Sequence, residues 1–223
     1  GKHKGIVGMK KKALALIGDF YHGADYIQAG LELIAGEIDA DFEFITAPDR
    51  VEWNRLNDYS VFILVKTANE NPEDPSIWMT EEYERIIIDY VKNGGGIFVL
   101  HSGLPGYQKV KDYRHMVKGH FLHHPEEHQL ITVKPVSDHY GLTEGISSFE
   151  IVDEQYFVDC DVKDTHVFLE AESEQFGKCV GGWAHEYGKG RVCCLTPGHT
   201  LEVLSKPMMQ KVMINGLKWC MGQ

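Results

Sequence analysis

The order of apolar and polar residues predicts alternating strands and helices in the first hundred positions. Four short apolar runs are typical of strands and lie at 13–19, 41–47, 59–66 and 97–100. Two longer segments place apolar residues at helical spacing and lie at 24–38 and 79–96. The run YSVFILVK is continuously apolar, which predicts a strand buried on both faces, whereas DFEFITA alternates and predicts a half-exposed strand. This succession predicts a parallel sheet with helices on both faces.

The segment 79–96 carries its own start and stop signals. Thr80 is a suitable N-cap residue, Tyr83 is the third residue after it, and the glycines at 94–96 are typical of a helix end. A loop that cradles phosphate needs its glycines after a strand, but these glycines precede the strand at 97–100. The sequence therefore predicts no nucleotide site here.

The pattern changes after position 104. Residues 104–145 are loop-like and rich in histidine, five strand-like segments lie between 128 and 198, and an amphipathic helix is predicted over 207–221. There is no linker and no internal repeat, so we predict one α/β domain over residues 1–223. Residues from 1 to about 12 are basic, and we interpret them as a leader that is either flexible or derived from a tag.

Composition narrows the classes of partner and compartment. The formal net charge of −11 disfavours nucleic acid and anionic membranes, which require a basic face, and favours a small neutral molecule. The longest apolar runs are far too short to span a bilayer, and the apolar segment that ends at Asp19 lacks a signal-peptide cleavage site. The five cysteines lack CxxC spacing, which is typical of free thiols in a reducing cytosol. We therefore expect a cytoplasmic protein.

Polar and titratable residues follow several of the predicted strands. They are Asp19, Tyr21 and His22 after the first strand, His101 and Ser102 after the fourth, His120, His123, His124 and His128 in KGHFLHHPEEHQ, Asp153, Glu154 and Tyr156 in DEQY, and His199 in PGHT. The carboxyl ends of parallel strands gather at one edge of a sheet. We therefore expect these separate segments to meet in one crevice.

Several of these candidates also have a purely structural interpretation. His22 would equally suit the start of a loop, and His101 would suit a hydrogen bond to a backbone group at the end of its strand. His199 follows a Pro-Gly turn and could cap the next segment. Trp183 is more often a core residue than a ligand platform, unless the ligand is a sugar.

Two groups of neighbouring candidates need a choice within the group. Among the four histidines of 120–128 we retain His124, because the proline that follows restrains it. Asp153 and Glu154 could form a surface turn. Strand alternation predicts that only one of them faces inward, and Glu154 shares its face with Tyr156.

These residue types suit two kinds of catalytic site, a serine nucleophile and a metal centre. A serine nucleophile in an elbow turn needs small residues two positions before and after it, but Leu100 and Leu104 flank Ser102 at those positions. A serine hydrolase triad is therefore disfavoured. Histidines with a carboxylate suit zinc or a similar divalent ion, although the chain has no HExxH motif and ligands would have to come from distant loops.

Five strings then occur in one order along the chain. GGGIFVLHSG (94–103), GHFLHHP (119–125), DEQY (153–156), W…YGKGRV (183–192) and PGHT (197–200) resemble the trehalose-utilisation, ThuA-like family. The resemblance extends from about residue 13 over nearly the whole chain. It implies a flavodoxin-like three-layer sandwich, with a mostly parallel central sheet, in the class I glutamine amidotransferase-like superfamily. Those amidotransferases carry a nucleophilic cysteine after the strand that here ends at His101 and Ser102, and this chain has none there, which argues against amidotransferase chemistry.

The resemblance also implies chemistry on sugars such as trehalose and their keto forms. Removing a proton beside a carbonyl needs a base, for which we assign Glu154 or His101, and a group that stabilises the enolate oxygen. His124 and His199 would polarise that oxygen, directly or through a metal such as zinc. The assigned roles are catalytic for His101, Glu154 and His199, substrate-binding for Asp19, Tyr21, His22, Ser102, His120, Tyr156 and Trp183, and metal-ligating for His124 and His22.

One departure and one alternative accompany this resemblance. The string GHF has His120 where the family pattern leads us to expect a second glycine, which predicts a pocket of different shape from that of the family. The alternative function is a non-catalytic sugar-binding or regulatory module that keeps the amidotransferase-like fold. In both cases the expected partner is a small sugar, and association into a homo-oligomer stays open.

Overall fold

The computed structural model describes residues 11–223, and its central feature is a nine-stranded sheet. The eleven strands are β1 (Lys11–Ile17), β2 (Ala40–Ile45), β3 (Tyr59–Val65), β4 (Gly96–Leu100), β5 (Gly119–His123), β6 (Gln129–Pro135), β7 (Phe149–Asp153), β8 (Phe157–Cys160), β9 (His166–Ser173), β10 (Gly177–Tyr187) and β11 (Gly190–Leu195). The large sheet has the order β2-β1-β3-β4-β11-β10-β9-β6-β7, and β5 pairs with β8 in a small second sheet.

The first half of the large sheet agrees with the sequence pattern. Strands β2, β1, β3, β4 and β11 are parallel, and every residue of β4 is buried. Thr80 caps the helix before β4 by accepting a hydrogen bond from the backbone N–H of Tyr83, as predicted. The four predicted strands of this half are present within one or two residues of their expected bounds. Continuous apolar runs form these strands because helices cover both of their faces.

The second half of the large sheet corrects the prediction of a mostly parallel sheet. Strands β10, β9, β6 and β7 each pair antiparallel with the strand before them in the sheet order, so the sheet is mixed. Only Gly188 and Lys189 separate β10 from β11, and only residues 174–176 separate β9 from β10. Such short connections can join only antiparallel neighbours, because a parallel pair needs a long crossover.

Within residues 11–223, five α-helices flank the sheet. They are α1 (Ala24–Glu32), α2 (Glu81–Lys92), α3 (Lys111–Val117), α4 (Leu201–Ser205) and α5 (Pro207–Cys220). Residues of α1 and α5 pack into one hydrophobic core, and residues of α2 and α3 pack into the other core on the opposite face. This gives the three layers expected of the fold.

Three predicted element bounds change in the structure. The helix predicted over 24–38 ends at Glu32 and continues as a 3₁₀ turn, Ala35–Glu37. The segment predicted to be loop-like at 104–145 contains α3 and β5. Lys11 and Lys12, which we had assigned to a leader, begin β1, and the rest of that assignment lies outside the described residues.

Candidate active site at the carboxyl edge of the sheet

Glu154 and three histidines from four separate segments meet at the carboxyl ends of the parallel strands. Glu154 Oε1 lies 3.2 Å from His101 Nε2 and 2.8 Å from His199 Nδ1. The ring centroid of His22 lies 5.2 Å from that of His101 and 5.1 Å from that of His199. We call His22, His101, His199 and Glu154 the histidine–glutamate cluster. The structure thus brings together four residues that the sequence placed at the ends of different strands.

His101 occupies a strained turn directly after β4. It has φ = +43°, in the left-handed region that residues other than glycine seldom adopt. Its Nδ1 lies 2.7 Å from the carbonyl oxygen of Thr196, and its ring stacks on Tyr156 with centroids 3.8 Å apart. A carbonyl oxygen can only accept, so Nδ1 carries the hydrogen and Nε2 is the atom that faces Glu154.

His22 is oriented by Asp19 from the same loop. The buried Asp19 carboxylate lies 2.9 Å from His22 Nδ1 and also accepts the backbone N–H groups of Tyr21 and Thr67. Burial opposes the charge on Asp19, but the hydrogen bond from His22 and these backbone donors hold the Asp19 pKa below its usual value. Burial also lowers the pKa of His22, which favours the neutral ring.

Asp153 lies behind the cluster and positions two of its members. It is fully buried and accepts the backbone N–H groups of Glu154, Gly198 and His199. The expectation that only one of the adjacent carboxylates faces inward is therefore wrong, because Asp153 faces this buried loop and Glu154 faces the cluster. Strand β7 ends at Asp153, so the alternation of a strand no longer governs Glu154.

The charges of the cluster act on one another. Burial alone would raise the pKa of Glu154, but the neighbouring His101 and His199 lower it well below its ordinary value. Burial lowers the pKa of His199, but its contact with Glu154 outweighs burial and raises it. Glu154 is therefore a permanent negative charge near neutral pH, which suits holding a cation better than releasing a proton.

A cavity of about 550 Å³ lies beside the cluster. Among the predicted residues, five line it, namely Tyr21, His22, His124, Glu154 and Tyr156. Glu154 Oε2 lies 3.2 Å from His124 Nε2, and His124 Nδ1 lies 2.6 Å from the carbonyl oxygen of Pro125. Glu154 thus contacts the buried histidines through one oxygen and the cavity histidine through the other.

The loop that follows β3 forms part of the cavity wall and was not predicted from the sequence. Thr67, Asn69, Asn71 and Asp74 come from this loop and line the cavity. The available signal was the same one that pointed to His22 and His101, since this loop also follows a buried strand of the parallel half. Its residues are small, polar and individually unremarkable in sequence, so we did not select them.

Apart from Asp19, which orients His22, three predicted substrate-binding residues lie neither in the cavity wall nor in the histidine–glutamate cluster. Trp183 is fully buried, donates its Nε1–H to the carbonyl of Val117 at 2.8 Å, and is a core residue. His120 accepts a hydrogen bond from Arg114 Nε at 2.7 Å in the small sheet. Ser102 is buried, and its hydroxyl has no hydrogen-bond partner among the described residues.

The described residues contain no paired nucleophile at this turn. His101 Nδ1 contacts the Thr196 carbonyl and His101 Nε2 contacts Glu154, so neither ring nitrogen pairs with the Ser102 hydroxyl. None of the five cysteines lies at the turn after β4. Burial raises the pKa of Cys160 to about 12 and that of Cys179 to about 11, which disfavours a reactive thiolate at either position.

Within residues 11–223, the four residues of the histidine–glutamate cluster are the group that could hold a metal ion. Each offers one ligand atom, and these atoms lie within 4.8 Å of one another. His22, one of the two predicted ligands, belongs to this set. His124, the other predicted ligand, lies outside the set and contacts Glu154 from the cavity side.

The fold and the site define an α/β protein with a mixed sheet and a histidine–carboxylate site at the carboxyl edge of its parallel strands. The family model described as ThuA, trehalose utilisation, matches residues 12–220. The chain therefore belongs to the trehalose-utilisation family, as the order of its motifs predicted. A comparison with curated protein sequences returned no match.

Solved structures share the fold at low sequence identity. A ThuA-like protein from Parabacteroides merdae is 14% identical, with a TM-score of 0.75 over 96% of this chain and 90% of that one. A protein from Salmonella typhimurium described as cytoplasmic is 17% identical, with a TM-score of 0.67 over 95% of this chain and 99% of that one. A glutamine amidotransferase from Thermotoga maritima is 15% identical, with a TM-score of 0.63 over 96% of this chain and 100% of that one.

These likenesses establish the amidotransferase-like architecture and leave the chemistry to the site. Within residues 11–223, no helix is long and apolar enough to cross a membrane.

Proposed function

We propose that this protein is a cytoplasmic carbohydrate-utilisation enzyme that performs acid–base chemistry on a glycoside or keto-sugar, and that it is not a glutamine amidotransferase. The observation that carries the proposal is the position of Glu154. Its carboxylate contacts His101 and His199 on the buried side and His124 on the cavity side. A cavity with a charged residue and a paired histidine in its wall has the parts that proton transfer requires.

The cavity suits a sugar in size and in lining. Its volume of about 550 Å³ falls within the range typical of small-molecule sites. The rings of Tyr21, Phe121 and Tyr156 offer apolar surface to the C–H faces of a sugar, and the side chains of Asn69 and Asp74 offer polar groups to its hydroxyls. Tyr21 is 57% exposed, so the structure offers an aromatic surface that Trp183 does not provide.

We assign the proton-transfer role to His124, with Glu154 as its partner. The Nδ1–H of His124 is held by the Pro125 carbonyl, so Nε2, which lies 3.2 Å from Glu154 Oε2, is the nitrogen that takes a proton from the carbon beside a substrate carbonyl. The electron pair of that C–H bond would move onto the carbonyl oxygen, and Glu154 would stabilise the imidazolium that forms. Tyr156 also lines the cavity, and its hydroxyl, which lies 3.4 Å from His22 Nε2, is the donor suited to the enolate oxygen.

His101 and His199 then have a different role from the one first assigned. Neither lines the cavity, and both contact Glu154 from behind. They are positioning residues that keep Glu154 charged and correctly aimed. Because none of the five cysteines lies at the turn after β4, and burial raises the pKa of Cys179 beside Gln155, glutamine hydrolysis through a thiolate is not supported.

Exchange of a substrate proton in deuterated water tests this function. The protein is incubated with trehalose, with keto-trehalose and with simpler keto-sugars, and loss of the proton beside the carbonyl is followed by NMR while calorimetry measures binding. We expect exchange or bond cleavage with at least one sugar, and a decrease of about 100-fold or more in His124→Ala. His123→Ala is the matched control, since His123 is an exposed neighbour that does not line the cavity.

The same experiment separates an enzyme from a binding module. A sugar that binds in the calorimeter without exchange or cleavage would overturn the enzymatic proposal and identify a non-catalytic sugar-binding protein. Equal rates for wild type and His124→Ala would remove His124 from the mechanism.

A further inference from the structure

We propose that the histidine–glutamate cluster is a binding centre for one divalent transition-metal ion, with His22 Nε2, His101 Nε2, His199 Nδ1 and Glu154 Oε1 as its protein ligands. This inference does not depend on sugar chemistry, although such a centre would border the same cavity. It rests on which atoms face inward, on the spacing of the rings and on what holds each ring from outside.

The inward atoms of the cluster are acceptors that face one another. The Nδ1 atoms of His101 and His22 point outward to the Thr196 carbonyl and the Asp19 carboxylate, so both carry hydrogen. In neutral rings each Nε2 is then a lone pair. The Nε2 of His101 nevertheless faces Glu154 Oε1 at 3.2 Å. His22 Nε2 also lies 3.4 Å from the Tyr156 hydroxyl, and the remaining acceptors are balanced by a positive charge between them, either a proton on His101 or a metal ion.

The contact between His199 and Glu154 also indicates a bound ion. Its Nδ1 is buried and lies 2.8 Å from Glu154 Oε1, but it lacks the alignment of a hydrogen bond. Two neighbouring atoms without hydrogen-bond geometry are as expected for two ligands of one ion. Bonds of about 2.1 Å at tetrahedral angles place neighbouring ligand atoms about 3.4 Å apart. The 3.2 Å contact of Glu154 Oε1 with His101 lies close to that spacing, and the 2.8 Å contact with His199 is about 0.6 Å shorter than the spacing of two ligands of one tetrahedral ion.

The spacing of the three rings also fits one ion. A metal–nitrogen bond is about 2.1 Å long and the ring centre lies about 1.1 Å further out, so imidazoles at tetrahedral angles would have centroids about 5.2 Å apart. The three centroid distances among His22, His101 and His199 are 5.1, 5.2 and 5.4 Å. Imidazole and carboxylate ligands suit zinc and its first-row neighbours.

The outer partners resemble those that orient metal ligands elsewhere. A histidine ligand commonly donates its second N–H to a carboxylate or a carbonyl, which fixes its tautomer. Asp19 does this for His22, Thr196 does this for His101, and Asp153 holds the backbone of His199. His22 and Glu154 also line the cavity, so an ion here would be accessible from it.

Metal titration of the full chain tests the centre. Chelator-treated protein is titrated with Zn²⁺, bound metal is counted by elemental analysis, and Co²⁺ is used to record the visible spectrum of the ligand set. We expect one ion per chain and a loss of affinity of more than about 100-fold in His101→Ala, which exceeds the effect usual for an outer partner. His139→Ala is the matched control, because His139 is exposed and stacks only on Tyr140 and His166.

A second variant guards against misfolding of the first. Asp19→Asn keeps the shape of the side chain and leaves all four ligands in place, and we expect it to weaken Zn²⁺ binding by about 10–100-fold. Absence of a bound ion in wild type, or affinity unchanged in both variants, would overturn the centre. Failure to bind Zn²⁺ with sugar turnover intact would overturn the centre and leave the proposed function standing, and metal binding without sugar turnover would do the opposite.

Discussion

Two buried histidine sites in this protein differ in the direction their ring nitrogens face. His185, on β10, has its Nε2 2.8 Å from the Met116 carbonyl and its Nδ1 2.8 Å from the Thr165 hydroxyl. Both nitrogens therefore have their own partner. His22 and His101 are similarly buried, but their outer nitrogens face Asp19 and Thr196 while the inner nitrogen of His22 faces the Tyr156 hydroxyl at 3.4 Å and that of His101 faces Glu154 at 3.2 Å. Burial alone does not identify a functional histidine, whereas an inward nitrogen that shares a carboxylate does.

The backbone explains the difference between the two sites. His185 lies within a strand, where its neighbours are fixed by the sheet and the helix α3 above it. The cluster residues lie just beyond strand ends, where loops from several strands can aim side chains at one point.

The largest difference in sugar exchange rate is expected between one substitution in the histidine–glutamate cluster and one at His185. Glu154→Gln removes the charge that joins the cluster to His124, and we expect sugar exchange to fall by about 100- to 1,000-fold. His185→Gln, measured per folded molecule, should stay within about twofold of wild type, because distant substitutions act mainly on stability. NMR exchange rates provide the measurement, and equal losses in both variants would contradict the distinction.

Acid should destabilise the protein through His185. Burial lowers the pKa of His185 to about 4, whereas the unfolded chain has the ordinary value of about 6.5. The unfolded state therefore binds the proton first, and the stability of the neutral ring is present above about pH 6.5 and lost as the pH falls toward 4, by up to about 3 kcal/mol. Denaturant unfolding across this range should show a shallower decline in His185→Gln. If the free energy of unfolding fell equally with pH in wild type and in His185→Gln, His185 would not titrate on unfolding.

The hydrogen-bond partners of His22 and His185 should also differ in their effect on Zn²⁺ affinity. We expect Asp19→Asn to weaken Zn²⁺ binding by about 10–100-fold. Thr165→Val, which removes the corresponding partner of His185, should leave Zn²⁺ affinity unchanged. The measurement is a competition titration against a chromophoric chelator, and an Asp19→Asn affinity equal to that of wild type would separate Asp19 from the site.

The smallest effect is expected for Thr165→Val on stability. The Thr165 hydroxyl lies within hydrogen-bond distance of the Ala184 carbonyl and of His185 Nδ1, so its removal leaves buried polar groups unpaired. We expect a loss of about 1–2 kcal/mol, seen as a decrease of several degrees in melting temperature. An unchanged melting temperature would show that water or a rearranged backbone replaces the hydroxyl.

Much of the parallel half and of the cluster was predictable from sequence. Continuous apolar runs identify strands that are covered on both faces, and the residues just after them include His22 and His101. The loop after β3 could have been found by the same reasoning. Trp183 could not be placed, since an indole can stack on a sugar or donate to a buried carbonyl, and here it donates to that of Val117. Asp153 was a candidate but received no role in the site, because its role is to accept backbone N–H groups, which side-chain patterns do not reveal.

The sequence by itself determined the family, the starts of the helices at Ala24, Glu81 and Pro207, and the set of histidines and carboxylates that stand after strands, because these depend on local periodicity and on residue type. Only the tertiary structure decided that half the sheet is antiparallel, that Asp153 as well as Glu154 faces inward, and that His124 contacts Glu154 from the cavity side. Those features depend on hairpin lengths, on where a strand ends and on distances between residues up to about 180 positions apart in the chain, His22 and His199. Such long-range contacts arise only when the whole sheet and its two helical layers assemble.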